Sequence, residues 1–224
     1  MSKKTLGIYG AGGLGREVLE LALIINDTVK EWDNFIFIVD KEASNGVNEV
    51  NGIKVFDYEE AKKQYSEALG VVVGIGEPMI RKEKFEQLKK DGIATPTLIH
   101  PSVHIPESTE VGEGVIINTG CSISCNVTIE DYVFIQPLAV IGHDVFLSYG
   151  CLISSFVVVS GYTKVGAFTF IGISTALKEK VSIGDYSIIG MGSVVYRDIP
   201  DEVIALGNPA KVRMRNIDRK VFGL

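Results

Sequence analysis

Three histidines, three cysteines and one glycine-rich turn are where this 224-residue chain could do chemistry. His143 is followed directly by Asp144. Imidazole titrates near neutrality and a carboxylate at its side raises its basicity, so the pair could take a proton from an incoming nucleophile. An exposed surface ion pair is the plainer reading of the same two residues. Gly10-x-Gly12-x-x-Gly15 follows an apolar run and opens a helical stretch, with Asp40 closing the next apolar run. That pattern lets backbone approach a phosphate at a helix N-terminus. Dinucleotide binding is the first thought, but the ~95 residues around it hold only half of a dinucleotide fold. A nucleotide site, or a tight strand–helix turn beside a solvated acid, remain the two readings.

The elements that must hold these groups fall into two halves. Up to about residue 96, apolar runs alternate with charged helical stretches. Strands are predicted at Thr5–Tyr9 and Phe35–Asp40, with a buried run at Val71–Val73. Helices are predicted at Gly15–Asn26, around Tyr58–Tyr65, and from Pro78 to Lys90. This alternation implies a small parallel sheet covered by helices. Thr95-Pro96-Thr97 is the expected joint, giving domains 1–95 and 96–224.

Beyond it, every sixth residue from Ile99 to Val195 is Ile, Val or Leu, although these types make up only 66 of the 224 residues. The position four later is small or slim: Val115, Cys121, Ala139, Cys151, Thr163 and Ser187 are examples. Position two often carries Gly, as at Gly112, Gly142, Gly166 and Gly184, and is read as the turn former. A six-residue period with one large and one small inward position describes a parallel β-helix with three faces per coil. Residues eighteen apart then stack at about one strand spacing, ~4.8 Å. The column through His143 becomes Glu107, Cys125, His143, Gly161, Glu179, Arg197. Cys125 beside His143 leaves open a Cys–His pair that carries an acyl group covalently. Cys121 and Cys151 fall at inward positions and read as core.

Composition closes off other classes. The longest apolar runs fall far short of the ~20 residues of a membrane helix. The start, Met1-Ser2-Lys3-Lys4, runs into the Gly-rich turn and does not read as a signal peptide. Three Cys do not make a disulfide framework and suit a cytoplasmic protein with reduced thiols. A net charge of −6 argues against nucleic acid as the main partner.

The hexad repeat resembles the left-handed β-helix of the hexapeptide-repeat acyltransferases, and Gly207-Asn208-Pro209-Ala210-Lys211 is similar to the closing motif of that superfamily. Four further segments extend the match over nearly the whole chain: Tyr9–Gly15, Gly74-Ile75-Gly76 with Arg81, Leu98–Ser102, and Ile141-Gly142-His143-Asp144. Together they resemble the sialic-acid O-acetyltransferase and nucleotide-4-amino-sugar N-acetyltransferase family of bacterial glycan pathways. The resemblance implies an α/β, Rossmann-like front domain followed by a left-handed β-helix. It implies a cytoplasmic homotrimer with active sites between adjacent β-helices, acetyl-CoA as co-substrate, and no metal, nucleic acid or membrane insertion.

The same resemblance implies roles. His143 would be the general base, Asp144 its tuning acid, and Gly161 the oxyanion donor. Gly10, Gly12, Gly13, Leu14, Asp40, Lys41, Gly76 and Arg81 would hold a nucleotide-linked amino sugar, a UDP-sugar foremost. Leu152, Gly161, Ile173, Met191, Asn208, Pro209 and Lys211 would meet coenzyme A, with the basic run Lys211–Lys220 facing its phosphates or solvent. Leu152 stands where the family commonly has a second His, and Ser154-Ser155-Phe156 replaces its usual Pro-Gly-Ala. Some proteins with this β-helix bind zinc through three His; His143 lies far from His100 and His104, which read as structural. The expected reaction is acetyl transfer to the sugar amine. The alternatives are O-acetylation of sialic acid or another sugar, and a non-catalytic nucleotide-sugar-binding trimer. A nucleotidyltransferase with a β-helix tail would need an L-x-x-G-x-G-T/S-R start, which Tyr9–Gly15 lacks.

Overall fold

The computed structural model describes residues 4–41 and 46–221. The first residues of the chain, and with them most of the signal-peptide reading, lie outside that range. Two compact units are present, one of Met1–Gly76 with Glu83–Pro96, the other of Glu77–Lys82 with Thr97–Leu224.

The first unit is built on a five-stranded sheet of order β3-β4-β2-β1-β5. The strands are β1 (Thr5–Tyr9), β2 (Asn34–Val39), β3 (Glu49–Val50), β4 (Ile53–Asp57) and β5 (Leu69–Val73). Pairings β1–β2, β1–β5 and β2–β4 are parallel. Helices α1 (Gly13–Val29), α2 (Tyr58–Tyr65) and α3 (Pro78–Lys90) alternate with them as expected. Buried Val18, Leu19, Leu21, Ala22 and Ile25 recur at helical spacing on one face of α1, and β1 is buried throughout. Asp57 caps α2 by accepting the Glu60 N–H at 2.9 Å. The antiparallel hairpin of β3 and β4 was not expected. Its turn, Asn51-Gly52, has both residues at positive φ, the chemistry that a two-residue hairpin turn prefers.

The second unit is a three-faced parallel coil. Two-residue strands stack in three sheets, each pairing with the strand eighteen residues on: Leu98↔Ile116, Glu110↔Thr128 and Ser122↔Val140 begin the three series. Every large inward residue from Ile117 to Val195 is buried, as is every slim one from Thr109 to Ser193. The inward hydroxyls do not go unpaired. Thr109, Thr163, Thr169 and Thr175 each donate to a carbonyl fifteen residues on, at 2.6–3.3 Å.

The corners correct one expectation. The left-handed backbone lies at position four of every hexad from Gly114 to Gly192, at Asn126, Tyr132, Leu138, Asp144, Phe156 and Tyr162 among others, with Gly at only some of them. Position-two glycines are there for close approach instead. A Cβ on Gly112 would meet Asp131 Oδ1 at 2.4 Å, and one on Gly142 the Gly161 nitrogen at 2.8 Å. The eighteen-residue step shortens at the end of two faces: Ile183 bridges Ile199 and Ile188 pairs with Ile204, steps of sixteen. On the face that carries His143, Leu177 still pairs with Val195, so the register of that column runs on to Arg197. The coil closes on an antiparallel hairpin of Val203–Leu206 and Lys211–Arg215.

Candidate functional site

Two separate centres carry the residues expected to act. In the first unit, the Gly10–Gly15 turn links β1 to α1, and its glycines divide into two groups. Gly10 sits at φ +106, and a Cβ on Gly15 would lie 1.8 Å from the Gly10 oxygen. The helix can start so close to the strand only without side chains at these points. Gly12 and Gly13 are different: a Cβ on either would meet nothing within 4 Å. They leave open space at the helix start, which is what close approach of a ligand to backbone needs.

That space is a cavity of about 380 Å³ lined by Tyr9, Gly10, Ala11, Gly12, Val39, Asp40, Val47, Val50, Val55 and Ile75. Among the described residues that line it, Asp40 carries the only charged side chain. Lys84 Nζ donates to Asp40 Oδ1 at 2.8 Å, and the Tyr9 hydroxyl donates to the same oxygen at 2.7 Å. Burial raises the Asp40 carboxyl, but the bonds from Lys84 and Tyr9 outweigh it and hold it below the ordinary carboxylate value. Burial and the bond to Asp40 push the Tyr9 phenol up.

Other expected ligand residues fall elsewhere. Lys41 lines a neighbouring depression with Asp57 and Tyr58, and Ile75, not Gly76, reaches the cavity wall. Arg81 is a correction. It is 1% exposed and groups with the coil, donating through Nη1 to the Gly150 carbonyl at 3.1 Å and through Nη2 to that of Tyr132 at 2.8 Å. Burial lowers its guanidinium to about 10. Its donors fasten the start of α3 to two coil carbonyls, so it has no face for a substrate.

In the second unit, His143 occupies an exposed corner. Its Nδ1 lies 2.8 Å from Asp144 Oδ2. With Asp144 accepting from Nδ1–H, Nε2 is left with its lone pair outward. Asp144 is placed by its left-handed backbone, φ 58, a conformation Asp tolerates better than most residues. The Tyr162 ring meets the imidazole edge-on, centroids 5.1 Å apart. Gly161 packs beneath: a Cβ there would come within 2.7 Å of His143 Cε1 and 2.8 Å of Nε2. Around this corner the backbone bonds run Asp144 N–H to Cys125 O and Tyr162 N–H to His143 O, keeping Cys125, His143 and Gly161 on successive coils.

Ile173 and Met191 are exposed, at 45% and 75%, as surface contacts require. Asn208, Pro209 and Lys211 are exposed as well. Leu152 is the second correction: at 1% exposure its side chain is packed away and offers nothing to a coenzyme. The basic run is not a loose tail. Lys211–Arg215 is a strand, and Arg219 pairs with Glu202 while its guanidinium lies 4.0 Å from the Tyr186 ring centre. Cys121 and Cys151 are buried and Cys125 is exposed. His100 bonds Ser102, and among the described residues no cluster of three His, Cys, Asp or Glu could hold a metal. No helix of the described residues is long and apolar enough to cross a membrane.

Residues 5–88 match the PglD N-terminal domain family. The acetyltransferase domain of PglB from Neisseria gonorrhoeae has a similar structure, with TM-score 0.85 and 27% identity over 94% of this chain and 100% of that one. PerB from Caulobacter crescentus, solved with CoA and GDP-perosamine, gives TM-score 0.84 and 28% identity over 93% of this chain and 97% of that one. A dTDP-3-amino-3,6-dideoxy-alpha-D-galactopyranose 3-N-acetyltransferase from Aneurinibacillus thermoaerophilus is 58% identical over 31 residues, 14% of this chain. That stretch spans only 16% of the relative's own length.

The comparisons place the chain with acetyltransferases. They support the resemblance read from the sequence: over nearly its whole length the chain is similar to solved acetyltransferases, one of them bound to CoA and GDP-perosamine.

Proposed function

We propose that this chain transfers the acetyl group of acetyl-CoA to the amine of a nucleotide-linked amino sugar, with a UDP-sugar as the first candidate. The single observation that carries the reading is the His143 corner, where an imidazole backed by Asp144 lies directly on the backbone of Gly161. The front unit, residues 1–95, would hold the nucleotide at Gly10, Gly12, Gly13 and Asp40. The repeat unit, residues 96–224, would carry the chemistry on a coil taken as left-handed.

In this mechanism the sugar ammonium first loses one proton to solvent; the neutral amine nitrogen then attacks the thioester carbonyl carbon as His143 Nε2 removes a second proton from it. The carbonyl oxygen becomes an oxyanion, which the Gly161 N–H stabilises by hydrogen bonding. Collapse breaks the C–S bond, and the imidazolium returns the proton to the departing thiolate. Asp144 holds the ring in the tautomer this needs and stabilises its protonated form. Ile173, Met191, Asn208, Pro209 and Lys211 would meet coenzyme A. Exposed Leu138, Val140, Phe156 and Val158 support a homotrimer that buries this side of the coil.

The test is incubation of the protein with acetyl-CoA and UDP-, GDP- and dTDP-linked amino sugars, reading free thiol and product mass. An N-acetylated nucleotide sugar is the expected product. Nucleotide binding without thiol release on any of them would leave a binding scaffold in its place.

A further inference from the structure

The cavity at the Gly10–Gly15 turn is aliphatic on most of its walls, through Ala11, Val39, Val47, Val50, Val55 and Ile75. Such walls suit a flat heterocycle better than a ribose or a phosphate, whose polar groups would lose water without gaining partners. One side chain in the lining can then read the ring's edge, and that is Asp40. Both of its hydrogen bonds, from Tyr9 and from Lys84, converge on Oδ1. Among the described residues Oδ2 takes part in none, which leaves it to accept from a ligand. The clamp is rigid. Lys84 is 4% exposed, Tyr9 1%, and the Lys84 ammonium also lies 5.2 Å from the Tyr9 ring centre.

Resting on the reading of this cavity as a nucleotide site, we propose that Tyr9 and Lys84 are positioning residues that fix Asp40 as a selector for nucleobases presenting a ring N–H. Uracil, thymine and guanine carry that donor on the edge they use for pairing. Cytosine carries a lone pair at the same ring position and would face the carboxylate acceptor to acceptor. Such a mismatch costs as much as a lost hydrogen bond to a charged group, about 10- to 100-fold in affinity.

The groups facing Asp40 are Tyr9 on β1, Lys84 and Glu83 on α3, and Tyr58 on α2 through its ring contact with Tyr9. Without the Lys84 ammonium, burial acts on the carboxyl with only Tyr9 opposing it, so Asp40 takes up a proton at higher pH.

The experiment is calorimetric titration of UDP and CDP into the full chain, wild type and the variants Asp40→Asn and Lys84→Met. UDP is expected to bind about 10- to 100-fold more tightly than CDP. Asp40→Asn keeps an oxygen for Tyr9 and Lys84 and turns an N–H2 to the cavity, so the preference is expected to fall away or reverse. In Lys84→Met the ratio of variant to wild-type UDP affinity is expected to drop as pH is lowered toward about 5, while circular dichroism stays unchanged. Equal binding of UDP and CDP by wild type overturns the selector. Loss of affinity for 2′-deoxy-UDP with no uracil–cytosine preference assigns Asp40 to the ribose and overturns it too. Binding of neither nucleotide, nor of GDP, overturns the nucleotide reading of the cavity itself.

Discussion

Gly161 and His143 share one small volume: a methyl group on residue 161 would sit 2.7 Å from the imidazole Cε1, well inside van der Waals contact. Gly161 has no positive φ to justify it. Its missing side chain is instead what lets the ring lie against the backbone of the next coil. Gly161→Ala therefore displaces the imidazole and leaves the backbone conformation allowed. Acetyl transfer should fall about 100-fold, the order expected for a misplacement of ~1 Å, with the melting temperature close to wild type. Steady-state rates and a thermal melt on the same preparation check this.

Asp144 stands in the left-handed region at the corner, and its carboxylate meets His143 Nδ1. Asp144→Asn keeps a residue that tolerates this backbone but removes the charge that supports the imidazolium. The rate should drop, with stability held. Asp144→Val should lose both, because a β-branched residue is strained there. Comparing the rates and melting temperatures of the two variants separates the carboxylate's electrostatic role from the backbone's need.

Cys125 lies one coil from His143, linked through its carbonyl to the Asp144 N–H. Direct attack on the thioester makes no use of its thiol. Cys125→Ser should retain wild-type turnover and show no acetylated enzyme by mass spectrometry. A large loss of rate, with an acetyl adduct on the wild-type chain, would revive a covalent route.

Arg81 donates to two coil carbonyls from a fully buried position. Arg81→Met leaves both carbonyls dry and unbonded, a cost of about 2–5 kcal/mol. Chemical denaturation should show this loss of stability. Nucleotide affinity in the still-folded variant should be little changed, which distinguishes this role from the substrate contact expected of Arg81.

The Lys84–Asp40 pair sets a pH window. Asp40 is held below its ordinary value, so its contribution to stability is present above about pH 4 and lost as pH falls through the lowered value. Burial alone would lower Lys84, but Asp40 and Glu83 outweigh it and raise it. Its contribution is present below about pH 10 and lost as pH rises through the raised value. The difference in melting temperature between wild type and Lys84→Met should be flat between about pH 5 and 9 and shrink below about pH 4.

Much of this was legible in the residues. The hexad register named the inward positions because a two-residue strand on each face must repeat its inward side chain every six residues. The β1, α2 and α3 boundaries followed from apolar runs and from Pro78 at a helix start. The Asn51-Gly52 hairpin was also legible, since that dipeptide between short apolar runs favours such a turn. The clamp on Asp40 was not legible. It joins β1, the residue that follows β2, and α3, with Lys84 forty-four residues from Asp40, and nothing in local periodicity marks Lys84 apart from its charged neighbours. Position-two glycines misled for a related reason: their cause is a contact with the next coil, about eighteen residues away, and not their own backbone angles.

The central claim is that His143 is the base for acetyl transfer, and rate set against binding tests it most directly. Release of coenzyme A from acetyl-CoA in the presence of a UDP-linked amino sugar should fall about 100- to 10,000-fold in His143→Ala. The dissociation constant for UDP, measured on the same variant, should not change. A His143→Ala protein that turns over at the wild-type rate would contradict the account.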